Sequence, residues 1–164
     1  QGTDRPVPAH TARRRGRQDQ GPRGPADRRR HGPDGAGRVA DVGEADTLAG
    51  ITPDWTEVRK ISAETHPAGV TVFGRAQETS TRLHVRSFAP ILGVDEDPVC
   101  GSGNASVAAY LAHTGLVREI GSHYLARQGM ALGRAGEIAV RVGNEAIKIG
   151  GYAVTCIDGK LRID

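Results

Sequence analysis

No leucine, isoleucine, methionine, phenylalanine, tryptophan or tyrosine occurs in this chain before Leu48. A segment so poor in large apolar side chains cannot bury enough area to offset its conformational entropy, which excludes a packed domain there. Residues 1–38 are instead rich in Arg, Gly and Pro, and their 10 Arg against 4 Asp give +6. The whole chain carries only +3, so the remainder is slightly acidic and the basic character belongs to the head. With no aromatic residue to stack on bases, that head is a poor nucleic-acid arm, although its charge alone would attract phosphate. Its composition reads equally as a GC-rich coding region translated out of frame, and this second reading is favoured. The chain opens on Gln1 rather than Met, so Gln1 need not be the natural start.

Cysteine is scarce too. Cys100 and Cys156 are the only two among 164 residues, which excludes a disulfide framework and points to a reducing, cytoplasmic setting. No apolar run approaches the roughly 20 residues of a membrane span, and no charged-then-apolar leader is visible, so no membrane partner is expected. A chain of this length fits one ordinary domain or one half of a two-lobed protein.

From Val39 onward the texture is that of a folded protein. Asp41 to Leu48 reads as a strand end followed by a short helix, and Pro53–Val58 as a helix start with Pro in its first turn. Val70–Phe73 and Thr81–Phe88 are strand candidates, the second with Leu83, Val85 and Ser87 on one face. His123–Gln128 is a further strand. Ile138, Val140 and Val142 alternate, Gly143-Asn144 turns, and Ile147 and Ile149 alternate again. Beyond Gly150-Gly151, Tyr152, Val154 and Cys156 predict another strand, with Cys156 in the core, and Asp158-Gly159 a tight turn before Leu161 and Ile163. The fold class expected is α+β, an antiparallel curled sheet wrapped around one central helix.

That helix is predicted to begin at the segment Glu96-Asp97-Pro98-Val99-Cys100-Gly101-Ser102-Gly103-Asn104. The residues after it, Ala105 to Ala112, are small or apolar on nearly every face, as in a helix buried all round. The first turn of a helix leaves amide N–H groups unpaired at the positive end of the dipole. Gly101 and Gly103 let a ligand come close, and a carboxylate suits that field. Cys100, beside the same amides, is placed to accept and return a proton. Each residue also has a plainer reading: Cys100 as a small buried apolar group, Asp97 as a turn or capping residue before Pro98, Ser102 and Asn104 as caps. Glu96 could orient the turn or meet solvent. His84, His113 and His123 show no metal-ligand spacing with the cysteines, and Gly133-Arg134-Ala135-Gly136 lacks the Lys-Ser/Thr pair of a phosphate loop. No metal site is expected.

Arg86-Ser87-Phe88-Ala89-Pro90, then Gly93 to Asn104, then Gln128-Gly129, Gly133–Gly136 and Gly150–Val154 together resemble the second half of the PhzF phenazine-biosynthesis-like family. The resemblance covers roughly residues 39–164. It implies the diaminopimelate epimerase-like fold, two similar lobes each with a curled sheet around a central helix, and an active site between them facing both helix N-termini. By position it implies substrate contact for Asp97, Gly101 and Ser102. Cys100 stands where the phenazine enzyme usually has threonine. Cys100-Gly101-Ser102-Gly103 is similar instead to the Cys-Gly-Thr-Gly turn of diaminopimelate epimerase and the comparable turn of proline racemase, where a thiol from each lobe exchanges a proton beside a carboxylate. The catalytic Glu and Gly-His-Ala-Thr turn of the family's first lobe are not recognisable here. Ala63-Glu64-Thr65-His66 does not take that Glu's role, because it lies just before the second-lobe strands.

The expectation is therefore the second lobe of an isomerase or epimerase that needs no cofactor and acts on a small carboxylate-bearing substrate. Cys100 and Asp97 are its candidate catalytic residues, and Gly101, Ser102, Gly103 and Asn104 its substrate-binding residues. Alone it is expected to have little or no activity, its partner being the missing first lobe or a second copy in a homodimer. The rival reading is a non-catalytic remnant that self-associates.

Overall fold

The computed structural model describes residues 10–11, 38–65 and 69–162. The reading of residues 1–38 as a structureless head lies outside them, except that Arg38 opens a strand and His10–Thr11 form a two-residue strand, β1. The described elements continue as β2 (Arg38–Glu44), α1 (Ala45–Ala49), α2 (Trp55–Thr65), β3 (Val70–Arg75), β4 (Thr81–Ala89) and β5 (Val94–Asp97). Then come α3 (Gly101–Thr114), α4 (Val117–Ile120), β6 (His123–Gln128), β7 (Gly136–Val142) and β8 (Ile147–Gly150). One sheet holds all eight strands in the order β1-β8-β7-β6-β4-β3-β2, with β5 added alongside β4.

The class is α+β, as expected, but the sheet is not antiparallel throughout. β2 pairs with β3 and β4 with β6 in parallel. Both parallel pairs flank a helical crossover, through α1 and α2 in the first case and α3 and α4 in the second. Such a connection carries the chain back to its starting edge, so the next strand runs the same way.

Alternation along the strands divides the apolar residues between two faces. Phe73, Leu83, Val85, Ala126, Ile138 and Val140 pack with Val107, Ala108 and Leu111 of α3. On the opposite face Val72 and Phe88 pack with Leu48 of α1 and with Trp55 and Val58 of α2. Asp54 starts α2 by accepting the amides of Thr56 and Glu57 at 3.0 and 3.2 Å. Pro53 therefore precedes the cap rather than sitting in the first turn. Glu64, on α2, is exposed.

α3 reaches β2 and β3 at one end of the strand order and β7 and β8 at the other. It is buried on one broad face only, through Gly103, Asn104, Ser106, Val107, Ala108 and Leu111, while Ala112, His113 and Thr114 are exposed. The uniformly small, apolar sequence hides which side of this helix meets the sheet.

The strand expected at Tyr152–Cys156 does not form. Residues 151–162 have no regular structure and all are exposed, so Cys156 lies in solvent and not in the core. Ile163 lies outside the described residues.

Among the described residues three buried hydroxyls, those of Ser62, Thr81 and Tyr124, find no hydrogen-bond partner. Tyr124 is 7% exposed and its hydroxyl finds no partner, while burial pushes its phenol well above the usual range. A buried hydroxyl without a hydrogen bond costs stability. Tyr124→Phe is thus expected to leave the protein as stable or to stabilise it by up to about 1 kcal/mol in urea unfolding. A loss above that figure would mean that the hydroxyl has a partner in solution.

Candidate active site

The strand β5 and the helix α3 are joined by Pro98, Val99 and Cys100, and the geometry of this turn is set from below by one side chain. Gln128, at the end of β6 and fully buried, accepts the Cys100 amide at 3.3 Å and the Asn104 Nδ2 at 2.8 Å through its Oε1. Its Nε2 donates to the Asp97 carbonyl at 2.7 Å. Asn104 Nδ2 also donates to the Cys100 carbonyl at 2.9 Å. The turn is therefore tied to the sheet at both ends. Gly129, at φ +92°, follows Gln128 so closely beneath the Pro98 carbonyl that a Cβ would stand 2.7 Å from it.

Cys100 caps α3. Its half-buried sulfur accepts the Gly103 amide at 3.3 Å and lies 3.4 Å from the Ser102 hydroxyl. Thr71 of β3 and Ser87 of β4 hydrogen bond to each other at 3.1 Å beneath this turn. A Cβ on Gly103 would overlap the Ser87 hydroxyl and stand 2.8 Å from that of Thr71, so only glycine lets the helix start sit this close to the sheet.

Gly101 and Ser102 are exposed, and their amides have no acceptor among the described residues. These two N–H groups, with the dipole behind them, can receive an anion beside the Cys100 sulfur. Gly103 and Asn104 are buried, and their amide groups are turned inward, to the sulfur and to Gln128. Asp97 is half-buried, and its Oδ1 accepts the Val99 amide at 2.9 Å, which shapes the turn. The six candidate residues thus lie together, but with two different jobs on the page: Cys100, Gly101 and Ser102 at the surface, and Asp97, Gly103 and Asn104 holding the turn. No cluster of three or more His, Cys, Asp or Glu side chains suited to a metal occurs among the described residues. No helix among them is long and apolar enough to cross a membrane.

Sequence reasoning misses Gln128 and the Thr71–Ser87 pair as parts of this site. The available signal is a polar side chain at the inward position of β6, where Tyr124 and Ala126 of the same face are buried. Glu96 is missed as well. It meets neither solvent nor the turn, but forms a two-pronged ion pair with Arg86 at 2.9 and 2.8 Å.

Comparison with known proteins places the chain among relatives. An uncharacterized isomerase of Clostridium acetobutylicum is 39% identical over 97 residues, covering 57% of this chain and 32% of that protein. An uncharacterized isomerase of Deinococcus radiodurans is 37% identical over 99 residues, covering 59% of this chain and again 32% of the relative. The chain thus spans about a third of the length of these curated relatives. Among solved structures, a phenazine biosynthesis protein of the PhzF family from Enterococcus faecalis superposes with a TM-score of 0.55 at 27% identity, covering 70% of this chain and 40% of that one. A family model described as phenazine biosynthesis-like protein matches residues 32–159, most of the chain, and the chain accordingly belongs to the PhzF phenazine-biosynthesis-like family.

Proposed function

We propose that residues 39–164 form one lobe of a cofactor-independent isomerase that moves a proton on a carbon next to a carboxylate. The observation that carries this reading is the juxtaposition of a half-buried sulfur, Cys100, with the two open amides of Gly101 and Ser102. The amides hold the substrate carboxylate and stabilise the enolate-like charge that develops as the proton leaves. The Cys100 sulfur takes or returns that proton. Relatives named as isomerases support the reaction class. The reach of α3 to strands at both ends of the sheet order supports a sheet curled around it, with the helix start at the open end.

Inverting a carbon centre requires a base on one face and an acid on the other. Cys100 is one such group. Asp97, the other ionisable candidate, has one carboxylate oxygen on the Val99 amide and serves the turn. A single copy is therefore expected to bind a carboxylate and to turn over little or none of it.

The exposed Cys156 supplies an internal control for the test. Benzoate, a planar carboxylate that mimics the flattened carbanion, is expected to slow alkylation of Cys100 by iodoacetamide. At about ten times its Kd the slowing should be about tenfold, with Cys156 unaffected. Peptide mapping by mass spectrometry reads the two sites separately. Equal rates at Cys100 with and without the probe, across a panel of small carboxylates, would sink this reading in favour of a purely structural lobe.

A further inference from the structure

Thr71 and Ser87 are each 3% exposed and stand directly opposite one another on β3 and β4, under the start of α3. Each hydroxyl carries one proton that it can donate. The bond between them spends one of these protons, whichever hydroxyl donates, and no acceptor among the described residues takes the other. Buried donors are satisfied in the great majority of cases, so the spare proton calls for an acceptor.

An acceptor stands close by. A Cβ built on Gly103 would meet the Ser87 Oγ and stand 2.8 Å from the Thr71 Oγ1 and 3.2 Å from the Cys100 Sγ. Both hydroxyls and the sulfur therefore share one side of this glycine, which places no side chain among them. The sulfur already accepts the Gly103 amide at 3.3 Å and has the Ser102 hydroxyl 3.4 Å away. What surrounds it is neutral, apart from one group. β3 and β4 bring Thr71 and Ser87, β6 brings Gln128, and the first turn of α3 carries no acidic side chain. The ionisable neighbour is Asp97, whose carboxylate accepts the Val99 amide. No Lys, Arg or His bonds to the sulfur among the described residues. A negative charge on Cys100 thus depends on neutral donors, and a hydrogen bond to a charged acceptor is about twice as strong as one between neutral groups.

We propose that Ser87 is a positioning residue for the charged Cys100 sulfur, with Thr71 behind it: Thr71 donates to Ser87, and Ser87 donates to the sulfur. Ser87 takes the contact because its oxygen is the closer of the two to the Gly103 side-chain position. When the Cys100 proton leaves, to solvent or to a substrate carbon, the negative charge stays on the sulfur. The Ser87 hydroxyl then turns about its Cα–Cβ bond onto that charge and keeps its own proton throughout. When the sulfur is protonated again the pull is gone, and the two hydroxyls bond to each other alone. The role in catalysis rests on the reading of Cys100 as the proton carrier, whereas the contact itself does not.

The rate of alkylation of Cys100 by iodoacetamide against pH reads this contact without any substrate, and the exposed Cys156 is the control in the same molecules. Thr71→Val with Ser87→Ala removes both partners of the buried bond and strands neither. In that variant the midpoint of the Cys100 profile should rise by about one pH unit. Alkylation should slow about threefold on the acid side of both midpoints and quicken about threefold on the alkaline side, because a more basic thiolate is the better nucleophile. Ser87→Ala alone should give most of the rise, and Thr71→Ser, which keeps both hydroxyls, none. Cys156 should respond to none of these changes. A midpoint that stays in place in the double variant overturns the assignment, as does a loss of rate that is equal at every pH, since a loosened turn alters access and not ionisation. Benzoate protection in the unaltered protein tests the catalytic reading separately. A shifted midpoint without protection removes that reading and leaves the contact, and protection with an unmoved midpoint does the reverse.

Discussion

Glu96→Gln is expected to cost about 3–5 kcal/mol in urea unfolding, enough to leave much of the protein unfolded at ordinary temperatures. The Glu96 side chain is 5% exposed and that of Arg86 9%, so neither charge has water to fall back on. The pair is bidentate, with Arg86 Nε and Nη2 each donating to one carboxylate oxygen. Arg86 Nη1 donates further, to the carbonyls of Leu48 at 3.3 Å and Ile51 at 2.6 Å. The guanidinium also lies 5.2 Å from the centre of the Phe88 ring. Removing the carboxylate charge strands this cation among α1, the loop after it and β4. Replacing both partners, with Arg86→Met and Glu96→Leu together, should recover part of the loss, because no buried charge is then left unpaired. Recovery stops short of wild type by about 1–3 kcal/mol, since two carbonyls have lost their donor. A single Glu96→Gln variant within about 1 kcal/mol of wild type would contradict the assignment of this pair as the clamp that holds β5 onto β4.

β5 also shows where a one-dimensional reading gives out. Val94-Asp95-Glu96-Asp97 has three carboxylates in four residues, a composition that disfavours strands, and reads as a turn. It is a strand because one of those carboxylates finds Arg86 ten residues earlier, on the adjacent strand. By contrast β4, β6 and β7 were legible to within a residue or two, since each alternates a buried apolar side chain with a more exposed neighbour for most of its length. Residues 151–162 alternate in the same way and form nothing, because a strand needs a partner and the pattern does not say on which molecule the partner lies. Parallel pairing was missed for a related reason. Local periodicity reports the face of a strand, whereas its direction is decided by the crossover through α1 and α2 or through α3. At the site, the Cys100 turn announces itself by its glycines and by the abrupt start of an apolar helix. What holds the turn does not, since Gln128-Gly129 stands in the sequence as one short piece of the resemblance, 28 residues away, and nothing local ties its side chain to the turn.

Gln128→Leu tests that support directly. The leucine fills the same inward position but offers no polar atom. The Cys100 amide and the Asp97 carbonyl then lose the side-chain partner that Gln128 supplies, and Asn104 keeps only its bond to the Cys100 carbonyl. With one to three kcal/mol for each buried group left unmatched, the expected loss is about 3 kcal/mol in urea unfolding. Stability alone would not separate a core residue from one that positions the site, so the informative readout is local. In the variant, the backbone amide resonances of Cys100–Asn104 should broaden or shift, while those of β2, three strands away from β6 in the sheet order, stay in place. Protection of Cys100 by benzoate should fall by about tenfold or more, because the Gly101 and Ser102 amides are no longer held in one direction. Full protection in a destabilised variant would show that the turn keeps its shape through Gly103 and the Cys100 sulfur alone. Gln128 would then be a structural residue and not a positioning one. Loss of protection with the β2 resonances unmoved would place the organisation of the helix start in a single buried amide, with one oxygen fixing where α3 begins and one nitrogen fixing where β5 ends.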